Sequence, residues 1–447
     1  MKLHWSAWLL AWCSYAPWAC ASDNHSLAAY RALERMPEVM EAPAAAAEPL
    51  EAFLKAEEKA LEALLASQEA WAVANLEKYP PRPAALAFVA DPERSDAARK
   101  LAFLQALRVA ADSRFALYVQ ADPWSDSTGT AMPSEAVRSV AQDGAPGEHF
   151  YAVKPGDTLS ALAVLASASD EPNYGMDAYL WDDSPSAWGK RYALGRQPFG
   201  STNDPGDAQA SVHAAFLHES GLFYAIEPAL ARAPLLQRAN QFSTLAAFAF
   251  RTDHAYWGWR FSGIALHYLQ DLTQPYQSAM LPGESAWRQM GARALALMGW
   301  SGARDRAFAL HSARLLAVQR YQNDLLQNAA QTRTEGILEK ALHDLDQDNA
   351  YPTWSDAYLR DVVALQAAMA APALTAALNA ALPTGALESA ARNGNSGSYG
   401  NALGPLLEQA SPESRRLLND ALAEALGHFG AHSRNALRAI LRAARPF

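Results

Sequence analysis

A chain of 447 residues, half of them hydrophobic and 19% charged, has ample material for a large core and does not have the composition of a disordered polypeptide. Its formal charge of -10 argues against a broad nucleic-acid-binding surface that works by neutralising phosphates, although a metal ion can supply positive charge at one point of an acidic protein. Only two cysteines are present, Cys13 and Cys20.

Both lie in the opening stretch MKLHWSAWLLAWCSYAPWACA, which has the layout of a secretory signal peptide over residues 1–21. Lys2 gives a positive end, Ala7 to Trp12 a short apolar run, and Ala19-Cys20-Ala21 a small-residue cleavage site. The run is well short of the roughly 20 residues that span a bilayer. Cleavage leaves a cysteine-free mature chain that begins at Ser22, with a periplasmic or secreted location and no transmembrane segment expected of it. Neither a disulfide framework nor thiolate ligands are then on offer.

His25 to Arg35 opens the mature chain as a short helix limited by Pro37. Leu50 to Leu76 reads as one long amphipathic helix, with Phe53, Leu54, Leu61, Leu64, Leu65 and Trp71 near helical spacing. The acidic run from Glu48 to Glu62 is its solvated face. A helix follows over Ala97 to Ala111, with Leu101, Leu104 and Leu107 on one stripe, then a polar loop from Ala121 to Gly147. Phe150 to Ala163, FYAVKPGDTLSALA, resembles the first strand, turn and helix of the LysM peptidoglycan-binding module. An ordinary Pro-Gly-Asp turn before a Thr-capped helix is the alternative, because Ser169 to Asp177 supplies no second helix and returning strand.

Asp182 to Asp207 is rich in turn formers, and Gln209 to Ala231 is a helix carrying His213, His218 and Glu219. Helices are expected over Phe242 to Leu272, Ala307 to Gln327, Glu335 to Asp346, Trp354 to Ala371 and Pro372 to Leu382. Residues 385–404 form a Gly/Ser/Asn-rich linker or loop, and residues 405–447 carry the C-terminal helices. No strand series stands out. The expectation is an all-α body over residues 22–384, a multi-helix fold with long loops.

The stretch His254 to Gly283 carries a dense set of polar side chains inside an apolar helical pattern. His267 and Asp271 stand four residues apart, so a helix puts them on one face, where an imidazole and a carboxylate can hold one metal ion together. Gln274-Pro275 ends the helix, since proline lacks the amide donor and clashes with the preceding turn. A satisfied histidine in a polar helix contact is the plainer reading. The aromatics Tyr256, Trp257, Trp259 and Phe261 either pack in the core or line a lipid-facing cleft. His311, His343, His428 and His432 read as surface or helix-packing histidines.

The run His267-Tyr-Leu-Gln-Asp271-Leu-Thr-Gln274-Pro275 resembles the metal-binding core of zinc-dependent phospholipase C and the related zinc-dependent single-strand nucleases. That resemblance implies an exported all-α protein of this type, with a zinc cluster that polarises a phosphodiester and activates water. It makes His267 a zinc ligand and Asp271 a bridging, catalytic carboxylate. It assigns Asp177 and His213 to the first zinc site, with His218 as the alternative to His213. His25 would bind a further zinc beside the free α-amino group, a place where that family has tryptophan and this chain has Ser22.

Elsewhere the chain departs from the family pattern. Gln277 stands where a second histidine follows Gln-Pro, and Leu315 and Gln319 stand at the positions of a downstream histidine and acid, with His311 one turn earlier. Leucine cannot ligate zinc and glutamine ligates it poorly, so one zinc site is expected rather than the trinuclear cluster. Two function classes follow. One is a phospholipase C-like hydrolase acting on a phospholipid or other phosphodiester. The other is a catalytically inactive secreted metal-binding or interaction protein.

Overall fold

The computed structural model describes residues 24–125, 129–140, 149–280, 302–393 and 409–445, together with 282, 291, 406 and 407. The signal-peptide reading of residues 1–21 and the start at Ser22 lie outside the described residues. The fold is all-α, with five strands of two or three residues among the described residues. The helices that build the site are α1 (His25–Leu33), α2 (Glu58–Asn75), α3 (Ala161–Ala168), α4 (Pro205–His213), α5 (Pro234–Arg251), α6 (Ala255–Thr273), α7 (Leu365–Ala381) and α8 (Pro412–Ala443).

Helix α6 is the axis of the body. Its residues from Tyr256 to Thr273 are all buried, which is the state of a helix that is apolar around most of its circumference. It packs against α5, α3 and α8, and α1 bridges α3 and α8 at one end. Two glycines permit these approaches. A Cβ on Gly258 would lie 2.5 Å from the Phe250 ring of α5, and a Cβ on Gly263 would lie 2.4 Å from the Leu165 carbonyl of α3. Tyr256, Trp257, Trp259 and Phe261 are core residues, so no lipid-facing cleft is built from them. The helix ends as expected: Gln274 takes an extended ψ of 125° before Pro275.

Several elements differ from their sequence reading. The helix expected over Leu50 to Leu76 breaks at Glu57 into Leu50–Ala56 and α2. Glu58 in the acidic run is buried beside Arg99 rather than solvated. The third helix ends at Leu107, where Arg108 turns left-handed (φ 56°), and Leu101 is exposed while Phe103 takes its place in the core. Ser160, not Thr158, caps α3. The strand Phe150–Ala152 pairs with the earlier strands Tyr118–Gln120 and Ala131–Met132, the reverse of the order a LysM module needs. The helix expected over Gln209 to Ala231 stops at His213, because Ala214 is extended and Ala215 N–H donates to the Gln277 carbonyl at 2.9 Å.

Further along, Pro372 does not divide its region. A π-helical turn, Leu359–Ala364, runs directly into α7, which carries Pro372 inside it. The segment Leu359–Ala381 is long and apolar enough to cross a membrane by length and composition alone. Here it packs on α8 and α6. Part of the expected linker, Ala386–Asn393, is helical, and residues 394–405 lie outside the described residues. Most of the expected set of C-terminal helices is one continuous helix, α8, over Pro412–Ala443.

The contact at Gly263 yields a test. Glycine to alanine inside a helix ordinarily stabilises by about 1 kcal/mol. Here Gly263→Ala should destabilise by roughly 1–3 kcal/mol, because backbone on one side and Ala168 on the other must give way. Urea unfolding measures this, and a variant at least as stable as the parent would refute the close α6–α3 contact.

Candidate metal centre

Five side chains singled out in the sequence, His25, Asp177, His213, His267 and Asp271, meet in one fully buried site. Asp271 is at its middle. Its Oδ2 lies 3.0 Å from His213 Nδ1 and 3.2 Å from His267 Nε2, and its Oδ1 lies 3.3 Å from His25 Nε2. His213 Nδ1 and His267 Nε2 are themselves 3.1 Å apart. The donor atoms of His25, His267 and Asp271 all fall within 4.8 Å of one another, a candidate metal-binding group.

Each imidazole has its other nitrogen committed. His267 Nδ1 donates to the Ser169 carbonyl at 2.6 Å. His213 Nε2 donates to Asp177 Oδ2 at 3.2 Å. His25 Nδ1 donates to Gln270 Oε1 at 2.9 Å, and the Gln270 amide is oriented in turn because its nitrogen donates to Ser433 Oγ. An imidazole whose outer nitrogen carries the hydrogen turns a lone pair inward in its neutral form. The neutral site therefore aims three nitrogen lone pairs and a carboxylate at one small volume. Such a set is stable only around a cation, either a proton or a metal ion.

Local folding delivers each residue. His25 is the first residue of α1, where Asn24 caps the helix and Asp170 Oδ1 accepts the His25 amide at 2.8 Å. His213 is the last residue of α4, so the chain reversal at Ala214 sets its direction. His267 and Asp271 share one face of α6. Asp177 follows a left-handed turn at Gly175 (φ 107°), where a Cβ would collide with Ser139 Oγ at 2.3 Å.

Asp177 stands behind His213 rather than among the inward donors. Arg238 Nε donates to its Oδ1 at 2.9 Å, and Tyr268 Oη donates to its Oδ2 at 2.6 Å. Both oxygens are spent on holding the carboxylate and orienting the imidazole. His218 is exposed and bonds the Arg360 carbonyl, so His213 is the histidine of the site. His311 is buried against the Phe216 and Tyr276 rings, and His432 is buried in a hydrogen-bonded contact with Tyr358 and Gln366.

Electrostatics divide the imidazoles. Burial alone would lower His213, but Asp271 and Asp177 on its two sides carry it up to about 9. Burial, reinforced by the neighbouring His25, pushes His267 down to about 4 against the pull of Asp271. Burial would also raise the two carboxylates. For Asp177 the Arg238 guanidinium overrides it, and for Asp271 the imidazoles do, so both stay ionised far below the usual carboxylate range. Without a metal, His213 carries the proton that the donor set requires.

A shallow depression lined by Asn24, His25, Gln274, Gln319, Gln322, Asn323 and Phe429 has His25 as its only member from the site. Gln319, expected where an acidic ligand belongs, is thus a neutral amide beside His25. Gln277 is buried with its carbonyl bonded to Ala215, and Leu315 packs against the core. No second group of metal-ligating side chains occurs among the described residues.

Comparison with family models, with curated proteins and with solved structures finds no match in any of the three.

The sequence reading did not single out Arg238, Tyr268 as an Asp177 donor, Gln270 or Ser169. Arg238 had a signal: it lies on the buried stripe of α5 with Leu235, Phe242 and Leu245, where an unpaired guanidinium would be costly. Arg238→Met should destabilise the protein by about 3–5 kcal/mol, because Asp177 is left buried and uncovered. Adding Asp177→Asn should recover part of that loss in urea unfolding. No recovery would show that Arg238 acts through its bonds to the Leu107 and Arg108 carbonyls instead.

Proposed function

We propose that this chain is an exported zinc protein of the phospholipase C and single-strand nuclease type. In this reading it holds one zinc ion through His25, His213, His267 and Asp271 and has weak or no hydrolytic turnover. The observation that carries the proposal is the convergence of three inward lone pairs and one carboxylate, each fixed by an outer hydrogen bond. Nitrogen and oxygen donors bind zinc at about 2.0–2.2 Å, and a tetrahedron of that size spaces its donors roughly 3.3–3.5 Å apart. The separations of 3.0–3.2 Å among His213 Nδ1, His267 Nε2 and Asp271 Oδ2 need little adjustment to match it, and His25 Nε2 lies 3.3 Å from the other carboxylate oxygen.

Bound there, zinc supplies charge that polarises a phosphoryl oxygen or a water molecule. The chain's own residues orient the donors: Ser169 O, Gln270 and Asp177 fix the three rings, and Arg238 and Tyr268 fix Asp177. Among the described residues there is no second set of donors. Gln277, Leu315 and Gln319 leave nothing to clamp the leaving oxygen opposite the first metal, which supports weak or absent catalysis.

The hydrolase reading keeps one specific support. With Asp177 withdrawn, His213, His267 and Asp271 Oδ2 form a three-donor face, and the amide-lined depression reaches His25 from outside. A phospholipid or other phosphodiester would enter by that route.

Metal analysis of the purified mature protein should find one zinc per chain, lost in His267→Ala, and bis(p-nitrophenyl) phosphate should be turned over at or near background. Two or three zinc ions, with turnover abolished by His267→Ala, would establish the hydrolase instead. A chain that takes up no zinc would sink both readings.

Proton linkage gives a second check. His213 at about 9 carries a proton at neutral pH that a ligating imidazole must release, so zinc affinity should rise from pH 7 to 9 by up to about tenfold per unit. The metal-free protein should behave in the opposite sense. A histidine raised above its ordinary 6.5 contributes stability that is fully present below 6.5 and is lost as pH climbs through about 9. Calorimetry in buffers of different ionisation enthalpy reads the released proton, and thermal unfolding across this window reads the loss.

A further inference from the structure

On the side of α5 away from Arg238 and Gln241, a second depression opens between α2, α5 and the segment 354–360. Its cavity volume is about 180 Å³, and it is open to solvent. Two tryptophans, Trp71 from α2 and Trp354, line it together with Asn75, Asn240, Ser243 and Asp356. Trp71 and Asn75 are one turn apart on α2, and Asn240 and Ser243 one turn apart on α5, so each helix presents a short polar strip to the same space.

Three properties make this a built site. First, Trp354 is held in place: its ring stacks on Tyr358 at 4.5 Å, and the buried Tyr358 hydroxyl is hydrogen-bonded to His432 Nδ1 at 2.9 Å. Second, among the described residues the side chains of Asn240, Ser243 and Asp356 have no hydrogen-bond partner, while the Asn75 amide nitrogen donates to the Trp71 carbonyl and leaves its oxygen open. An amide, a hydroxyl and a carboxylate therefore line the same space as two indole rings. Third, the π-helical turn Leu359–Ala364 begins at the wall of the depression, and such turns recur where a helix is bent to serve a site.

Charge selects among ligands. The one guanidinium in the lining, Arg360, is neutralised by Asp361 at 2.7 Å, and Asp356 adds a negative charge. A phosphate or carboxylate ligand finds no free cation here. A neutral, flat, hydroxyl-rich ligand fits: its C–H face lies on the indoles, and its hydroxyls donate to Asp356 and Asn75 and exchange hydrogen bonds with Asn240 and Ser243. Pyranose rings have that chemistry, and an open depression can take one ring against its wall while the rest of a saccharide stays in solvent. We propose that this depression is a binding site for a neutral saccharide, separate from the metal centre.

The test titrates the full mature protein with cellotriose, maltotriose and triacetylchitotriose, following tryptophan fluorescence and calorimetric heat. At least one trisaccharide should bind saturably, with a Kd on the order of 1 mM or tighter. Trp354→Ala should weaken it by about tenfold or more, the loss of one aromatic stacking face. Asp356→Asn, at an exposed position that leaves the core untouched, should weaken it severalfold and keep the metal content and melting temperature of the parent. The proposal is overturned if no trisaccharide binds by about 10 mM. It is overturned equally if binding survives in both variants, or if adenosine binds in place of the sugars.

Discussion

Asp271 is a carboxylate ionised at the centre of a helical body, out of reach of water. An uncompensated charge there would cost several kcal/mol or more, so the surroundings of α6 are arranged around its neutralisation. Three histidines from three helices face it, each backed by a fixed acceptor. A second buried carboxylate, Asp177, sits one layer out and is matched by Arg238. The two acids, three imidazoles and one guanidinium are a single charge system, and α1, α4, α5 and α6 hold the positions they do because each supplies a member of it.

This accounts for the close packing of α6. A helix that carries buried ionised side chains must be covered on all sides, and the cover has to come near enough for ring nitrogens to meet the carboxylate. Gly258 and Gly263 remove side chains where α5 and α3 cross, and the aromatic residues of the first turns fill the rest. Arg260 continues the same logic at the other end of the helix: its guanidinium pairs with Glu171 and lies over the Tyr118, Tyr256 and Trp257 rings.

Much of this was legible in the sequence because it is local. The four-residue spacing of His267 and Asp271 and the stop at Gln274-Pro275 are properties of one helix, and both hold. The all-α class follows from the apolar periodicity of many segments. What escaped depends on contacts between distant segments. Whether His213 or His218 enters the site is decided by where α4 ends, and that depends on the Ala215 bond to the Gln277 carbonyl. Whether Asp177 faces inward or stands behind His213 is decided by Arg238, which comes from another helix. The break at Glu57 and the passage of α7 through Pro372 likewise reflect tertiary packing overriding local propensity.

His25 carries one more consequence. It lies at the start of the first helix, yet its ring is bonded to Gln270, 245 residues away, its amide to Asp170, 145 away, and the same helix ends on Arg434, 402 away through Ala32. Contacts of such sequence separation are the slowest to form, since the whole intervening chain must be ordered first. Helix α1 is therefore a clasp that ties α6 and α8 to the turn at Asp170. An ion shared between His25 and Asp271 would lock that clasp. Its release would open the body from the N-terminal edge, so metal loss would register first as a faster unfolding rate and a protease-sensitive amino terminus.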